Sequence, residues 1–279
     1  MRRYLAARLP GSIKDALREL HYRRVDLFDR LTGGSRRLPP EELMFVGGGG
    51  FESVGRQFIR YFIELGDLRP DDRVLDVGCG IGRMAVPLTD YLSPRGEYRG
   101  FDVVRRGIRW CRTRISRDFR NFHFQHVDVY NKTYNPRGML RARDFHFPFE
   151  SACFDFVLAT SVFTHMLPAD MAHYFAEVSR VLRPGGRCLL TFFLVNEESE
   201  AAIRGGHSTL DFKYKLDGCL TTNEDYPEAA VAYDEALVRG LAEHSKLTLV
   251  EPIHYGSWCN RPVFLSTQDI VILTKAGTR

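Results

Sequence analysis

From residue 72 onward the chain alternates short apolar runs with amphipathic stretches, and this alternation limits its possible folds more than any other feature. The runs "DRVLDVG" (72–78), "EYRGFDVV" (97–104), "FHFQHVDV" (122–129), "FDFVLATSV" (154–162) and "RCLLTFFLV" (187–195) have the length and residue types of strands. Between them, "GRMAVPLTDYL" (82–92), "RRGIRWCRTRISRDF" (105–119) and "PADMAHYFAEVSRVL" (168–182) carry apolar residues at helical spacing. Strands separated by helices imply a parallel sheet with helices on both faces. A further helix (231–245) leads to two last strands, "LTLVEPIHYGSW" (247–258) and "QDIVILT" (268–274). The link between those two, "CNRPVFLST", is too short for a crossover helix. The expected fold is therefore α/β, a mostly parallel seven-stranded sheet whose last strand is antiparallel, at or near the sheet edge.

Upstream of the sheet, residues 1–31 read as helices broken at Pro10-Gly11, "TGGSRRLPP" (32–40) as a linker and "FVGGGGF" (45–51) as a hinge. An amphipathic helix follows in "ESVGRQFIRYFIELGDL". Residues 1–67 are expected to form an N-terminal helical cap and 68–279 the sheet domain. Loop-rich insertions at about 130–150 and 196–230 are expected to act as a substrate lid, with Phe45 and Phe51 covering the pocket.

Composition narrows the classes. Of 279 residues, 44% are hydrophobic and 27% charged, as in ordinary soluble globular chains, and no apolar stretch is long enough to span a bilayer. The N-terminal stretch lacks a signal-peptide core. The six cysteines form no C-x-x-C pair and read as free thiols in a reducing, cytoplasmic setting. Residues 1–120 hold 24 Lys and Arg against 16 Asp and Glu, a surplus of eight positive charges. Solvated helix faces account for this surplus. A sharper reading is an anionic partner, including peripheral membrane contact through the basic N-terminal helices.

The glycines decide what the sheet binds. In an open parallel sheet, ligands sit at the carboxyl ends of the strands where strand order reverses. "VLDVGCGIGRM" (74–84) places Gly78, Gly80 and Gly82 there, between a strand and a helix. "GGGG" at 47–50 has no strand before it. The spacing is G-x-G-x-G with Arg83 next, which departs from the dinucleotide pattern G-x-G-x-x-G, and no G-K-[ST] follows. Asp102 closes the second strand, where a carboxylate can accept from a ribose diol or cap the next helix.

Together, "VLDVGCGIGRM", "GFDVV", "VDV", "FDFVLATSVFTHM" and "VSRVLRPGGRCLLTFF" resemble the class I S-adenosylmethionine-dependent methyltransferases of small-molecule type, with a Rossmann-like sheet. The resemblance covers about residues 68–195. It implies S-adenosyl-L-methionine as cofactor, with Gly78, Cys79, Gly80 and Gly82 against its methionine and ribose. It further implies Asp76 toward the amino group, Asp102 on the ribose, and Val103, Asp128 and Val129 around adenine. Ala159 and Thr160 are implied near the sulfonium. His165 in "SVFTHM" stands where a general base would act on a hydroxyl acceptor, though it could equally cap a helix. His254 and Tyr255 in "EPIHYGSW" are the second candidates, with Trp258 as pocket wall. Asn196 and Glu197 are read as acceptor-binding or as solvated loop.

Other readings remain at this point. The chain could be a non-catalytic cofactor-binding subunit, a nicotinamide enzyme, or an RNA methyltransferase working through its arginines. "YNPRG" (134–138) resembles the signature of nucleic-acid amino methyltransferases but precedes the fourth strand instead of following it, which counts against nucleic acid. His123 and His126 point to opposite faces of a strand, so no metal is expected.

Overall fold

The computed structural model describes residues 38–40, 43–44 and 50–277. The expected helices of 1–31, most of the 32–40 linker, and Phe45 with Gly47, Gly48 and Gly49 lie outside the described residues. Pro40–Arg279 is one compact unit. It includes α1 (Phe51–Glu64), the amphipathic helix expected from "ESVGRQFIRYFIELGDL".

Among the described residues the main sheet has seven strands: β1 (Arg73–Val77), β2 (Glu97–Asp102), β3 (Phe122–His126), β4 (Phe154–Ala159), β5 (Leu182–Phe192), β10 (Leu247–His254) and β11 (Asp269–Lys275). Their order is β10-β11-β5-β4-β1-β2-β3. Pairs β1–β2, β2–β3, β1–β4 and β4–β5 are parallel, and β11 runs antiparallel to both β5 and β10. The last strand is thus antiparallel as expected and lies one place in from the edge, which β10 occupies. Two parallel neighbours of β1 leave it in opposite directions, so the strand order reverses at β1 and opens a crevice at its carboxyl end.

Both faces of the sheet are covered. On one face, Phe62 of α1 lies 5.8 Å, ring to ring, from Phe156 of β4. On the other, Met171, Tyr174 and Phe175 of α4 (Pro168–Val181) bury with Leu75, Val157 and Leu190. This two-sided burial explains why the strands read as continuous apolar runs instead of alternating ones.

Three local readings change. Of "GRMAVPLTDYL", only α2 (Ala85–Leu88) is α-helical, and turns flank it. The stretch 231–245 opens with strand β9 (Val231–Asp234) before α6 (Glu235–His244), because the Asp234 side chain accepts from the Ala236 N–H at 2.8 Å and sets the helix start there. Residues 196–230 are ordered, not irregular. Asn196 and Ser199 form a reciprocal capping box that starts α5 (Glu197–Arg204). β7 (Tyr214–Leu216) and β8 (Cys219–Thr221) form a hairpin. With β9 and β6 (Leu194–Val195) it builds a second sheet, ordered β6-β9-β8-β7.

Asp269 joins the two sheets. Fully buried, it accepts from the Leu194 N–H (2.6 Å), the Gly256 N–H (2.6 Å) and Trp258 Nε1 (2.8 Å), with Arg261 Nη1 at 3.4 Å. Trp258 is itself fully buried between Phe193 and Phe212, so it is core and not pocket wall.

Gly100 on β2 carries the glycine loop: a Cβ there would come within 2.8 Å of Cys79 Cβ. Gly100→Ala should therefore lower stability by about 1–3 kcal/mol through overpacking. Gly240→Ala, in α6 with open space around it, should raise stability by about 0.5–1 kcal/mol. Urea midpoints of the two variants against the parent check both signs.

Candidate active site

One cavity of about 420 Å³ opens at the carboxyl ends of β1, β2 and β4. Its floor is the glycine loop. Gly78, Gly80 and Gly82 all have positive φ (75°, 56° and 78°), a conformation that side-chain-bearing residues rarely adopt. Gly78 and Gly80 line the cavity, and a Cβ at Gly78 would come within 2.6 Å of Val162. Gly82 does a different job. It does not line the cavity, and a Cβ there would strike Ile115 and Cys111 of α3 (Arg105–Asp118), so it lets the loop pack against that helix.

Two buried carboxylates face this loop. Asp76 is 1% exposed; the Tyr98 hydroxyl donates to its Oδ2 at 2.5 Å, and Oδ1 has no partner. Burial raises its carboxyl from 3.8 to about 7, against the pull of the Tyr98 hydrogen bond. Asp102 accepts from the Gly80 N–H at 2.8 Å through Oδ2 and from the Val104 N–H at 2.7 Å through Oδ1. Burial raises this group too, and the backbone donors oppose the shift. The Val103 N–H is a third backbone donor to this carboxyl, which leaves lone-pair capacity for a ligand hydroxyl.

The far end of the cavity holds His165, Asp170, Tyr174 and Glu228. His165 Nδ1 lies 2.9 Å from the carbonyl oxygen of Glu228. A carbonyl can only accept, so Nδ1 carries the hydrogen, and the neutral ring keeps its lone pair on Nε2. Burial raises the Asp170 carboxyl, while the adjacent Arg143 opposes the shift.

The two inserted segments meet over this end. Lys132 Nζ donates to the Asp225 carbonyl at 3.0 Å and sits 4.9 Å from the centre of the Tyr226 ring. The Thr133 and Tyr226 hydroxyls are 2.6 Å apart.

The comparisons with known proteins agree with this geometry. A family profile described as "Methyltransferase domain" matches residues 75–190, the span from β1 into β5. Residues 75–190 thus match a methyltransferase domain.

An uncharacterised 37.1 kDa protein of a Streptomyces fradiae transposon is 28% identical over 65% of this chain and 48% of its own length. The phthiotriol/phenolphthiotriol dimycocerosates methyltransferase 1 of Mycobacterium ulcerans is 37% identical over 43% of this chain and 36% of its own length. The chain thus spans about half or less of these curated relatives. The crystal structure of the PH0226 protein from Pyrococcus horikoshii superposes with a TM-score of 0.55 at 20% identity, covering 80% of this chain and 90% of that one. It shares the fold.

Several residues expected at the methyltransferase site are placed elsewhere. Asp128 is exposed, accepts from Asn135 Nδ2 at 3.3 Å and does not line the cavity, whereas Val129 does. Ala159 is fully buried in the core, and Thr160, one residue on, lines the cavity. His254 and Tyr255 do not reach it: the Tyr255 hydroxyl donates to Glu235 at 2.8 Å, and burial lowers the pKa of His254. Asn196 serves α5 as its cap, and Glu197 lies in the first turn of that helix. Phe51 is buried beneath the Arg83 guanidinium, 5.9 Å from its ring centre, and does not cover the pocket. Among the described residues no group of three or more His, Cys, Asp and Glu is arranged to hold a metal ion.

Sequence reading missed Val54 and Phe58 of α1, together with Arg83, Tyr134, Asp170 and Glu228. Arg83 and Tyr134 stood inside motifs weighed for chemistry, whereas Val54, Phe58 and Asp170 stood in stretches read only as amphipathic helices, and Glu228 in none. The other four come from elements that only folding brings to this cavity.

The unpartnered Asp76 oxygen suits the ammonium group of S-adenosylmethionine, and binding that cation requires the ionised carboxyl. Affinity for S-adenosylhomocysteine should therefore fall as pH drops through about 7. Without ligand the sign reverses. The folded carboxyl keeps its proton up to about 7, whereas the unfolded one releases it near 3.8, so this group lowers stability as pH rises across that window. Calorimetric titration at pH 6 and pH 8 checks the first statement, and an affinity unchanged between them would contradict it; Asp76→Asn should remove the dependence.

Proposed function

We propose that this chain transfers the methyl group of S-adenosylmethionine to the hydroxyl oxygen of a small-molecule acceptor. One observation carries the reading: a buried carboxylate oxygen without a partner, Asp76 Oδ1, in a cavity floored by positive-φ glycines at the strand-order reversal. The name of the mycobacterial relative, a dimycocerosates methyltransferase, supports a small-molecule acceptor.

The cofactor supplies a methyl group on a sulfonium, which is already a good leaving group. The chain's own residues bind and orient it. Asp76 takes the ammonium, Gly78, Cys79 and Gly80 lie along its methionine and ribose, and Asp102 accepts from the ribose diol. Val103 and Val129 flank adenine, and Thr160 closes the pocket near the sulfur. What remains is to hold the acceptor oxygen in line and to remove its proton. His165 fits the second task, because the Glu228 carbonyl fixes its tautomer with Nε2 unprotonated. Holding the ring by its other nitrogen also limits its rotation. The segments 130–134 and 222–230, joined through Lys132, Thr133 and Tyr226, form the lid that excludes water.

Incubation with methyl-labelled cofactor and fractionated metabolite extracts identifies the acceptor; complete absence of label transfer would contradict the proposal. With an acceptor in hand, His165→Ala should reduce turnover about 100-fold or more while leaving S-adenosylhomocysteine affinity intact. Turnover close to the parent's would make His165 structural.

A further inference from the structure

The seven-stranded sheet sends two exposed apolar loops off the same edge. β10 and β5 are both antiparallel to β11, so β10 runs in the direction of β1–β5. The loop after β3 and the loop after β10 therefore both leave the carboxyl edge, where the cavity opens. They leave from the two outermost strands, which stand roughly 29 Å apart, six spacings of about 4.8 Å.

The loop after β3 presents Met139, 83% exposed, with Leu140 and Tyr130. The loop after β10 presents Val263, 85% exposed, with Phe264 at 52% and Leu265. Both tips are tied to the cavity wall. Tyr130 and Arg141 line the cavity from the first loop. In the second, the Leu265 carbonyl accepts from Gln57 Nε2 at 2.8 Å on α1, whose Val54 and Phe58 line the cavity. Gln268 accepts from the Ser161 hydroxyl at 3.1 Å, and Ser161 is a lining residue too.

Charge selects the partner. In the first loop Lys132, Arg137, Arg141 and Arg143 are interleaved with the apolar residues, against Asp128 and Asp144. The second loop, 255–268, contains no Asp or Glu, and its one cation, Arg261, is buried and paired with Glu198 and Asp269, so its tip is apolar and uncharged. An apolar tip interleaved with exposed cations, beside a second apolar tip that carries no acid, is a composition that enters a headgroup region and is attracted by anionic lipid. A lipid surface can meet two tips that leave opposite ends of the same sheet edge.

We propose that the carboxyl edge of the sheet docks on an anionic lipid surface through the 139–140 and 263–265 tips, with the cavity facing the headgroups. The docking itself rests on the exposure, placement and charge of these loops. Its consequence, that the acceptor is an amphiphile presented from that surface, rests on the methyl-transfer reading above.

The test is flotation with vesicles of phosphatidylcholine alone and of phosphatidylcholine with phosphatidylglycerol in equal parts. The parent should float with the anionic vesicles and not with the neutral ones. Met139→Asp with Leu140→Asp, and Val263→Asp with Phe264→Asp, should each lower binding roughly tenfold or more, and the four together should abolish it. S-adenosylhomocysteine affinity and the thermal midpoint should stay at parent values, since these side chains are exposed and do not line the cavity. No binding to anionic vesicles overturns the proposal. So does binding that survives all four substitutions, which would place the contact on another surface. A dimer that the substitutions dissociate, with no vesicle binding, also overturns it and assigns the tips to a second copy of the chain. Loss of S-adenosylhomocysteine binding by the parent would overturn the methyl-transfer reading and leave the docking result standing.

Discussion

Burial of β1 between β2 and β4 is the constraint on which the site depends. Val74, Leu75 and Val77 are essentially inaccessible, and apolar side chains buried this completely contribute about 1.5–3 kcal/mol each. The same strand carries Asp76, whose burial raises its carboxyl from 3.8 to about 7 and so disfavours its ionised form. A strand packed on both faces can thus keep a poorly solvated carboxylate at its carboxyl end, and the reversal of strand order at β1 leaves a crevice for that carboxylate to face.

The rest of the molecule supports this end of the sheet. The glycine loop turns off β1 and is held to Asp102 through the Gly80 N–H. Gly82 lets the same loop lie against α3. On the other side, Asp269 gathers donors from the start of β6, from Gly256 and from Trp258, and so fixes where the chain leaves the main sheet for the second one. The second sheet leads into Pro227–Ala229, whose Glu228 carbonyl orients His165. An insertion remote in sequence from the glycine loop therefore sets the geometry of the proposed base.

Much of the fold was legible in the residues. Apolar runs long enough for strands, alternating with amphipathic helices, specify a parallel sheet because parallel neighbours need crossovers. The short link "CNRPVFLST" specifies an antiparallel last pair for the complementary reason. Gly78 and Gly80 were legible as cavity-facing because they follow a strand and precede a helix. Gly82 was not separable from them: whether a Cβ is forbidden by a ligand or by Ile115 depends on what packs above it. That Asp128 and His254 do not line the cavity was hidden for a similar reason. A strand's end is visible in sequence, but the direction in which the chain then carries a side chain is set by the loop that follows.

Sequence alone determined the class of sheet, the position of the glycine turn and the two acids at Asp76 and Asp102, because these follow from local patterns of polarity and backbone freedom. Tertiary structure decided which acid oxygen lacks a partner, which histidine is oriented toward the cavity, and which loops share its edge. Those are relations between residues as far apart as His165 and Glu228, or Leu140 and Phe264. No local pattern encodes them, because each depends on how the finished sheet orders its strands.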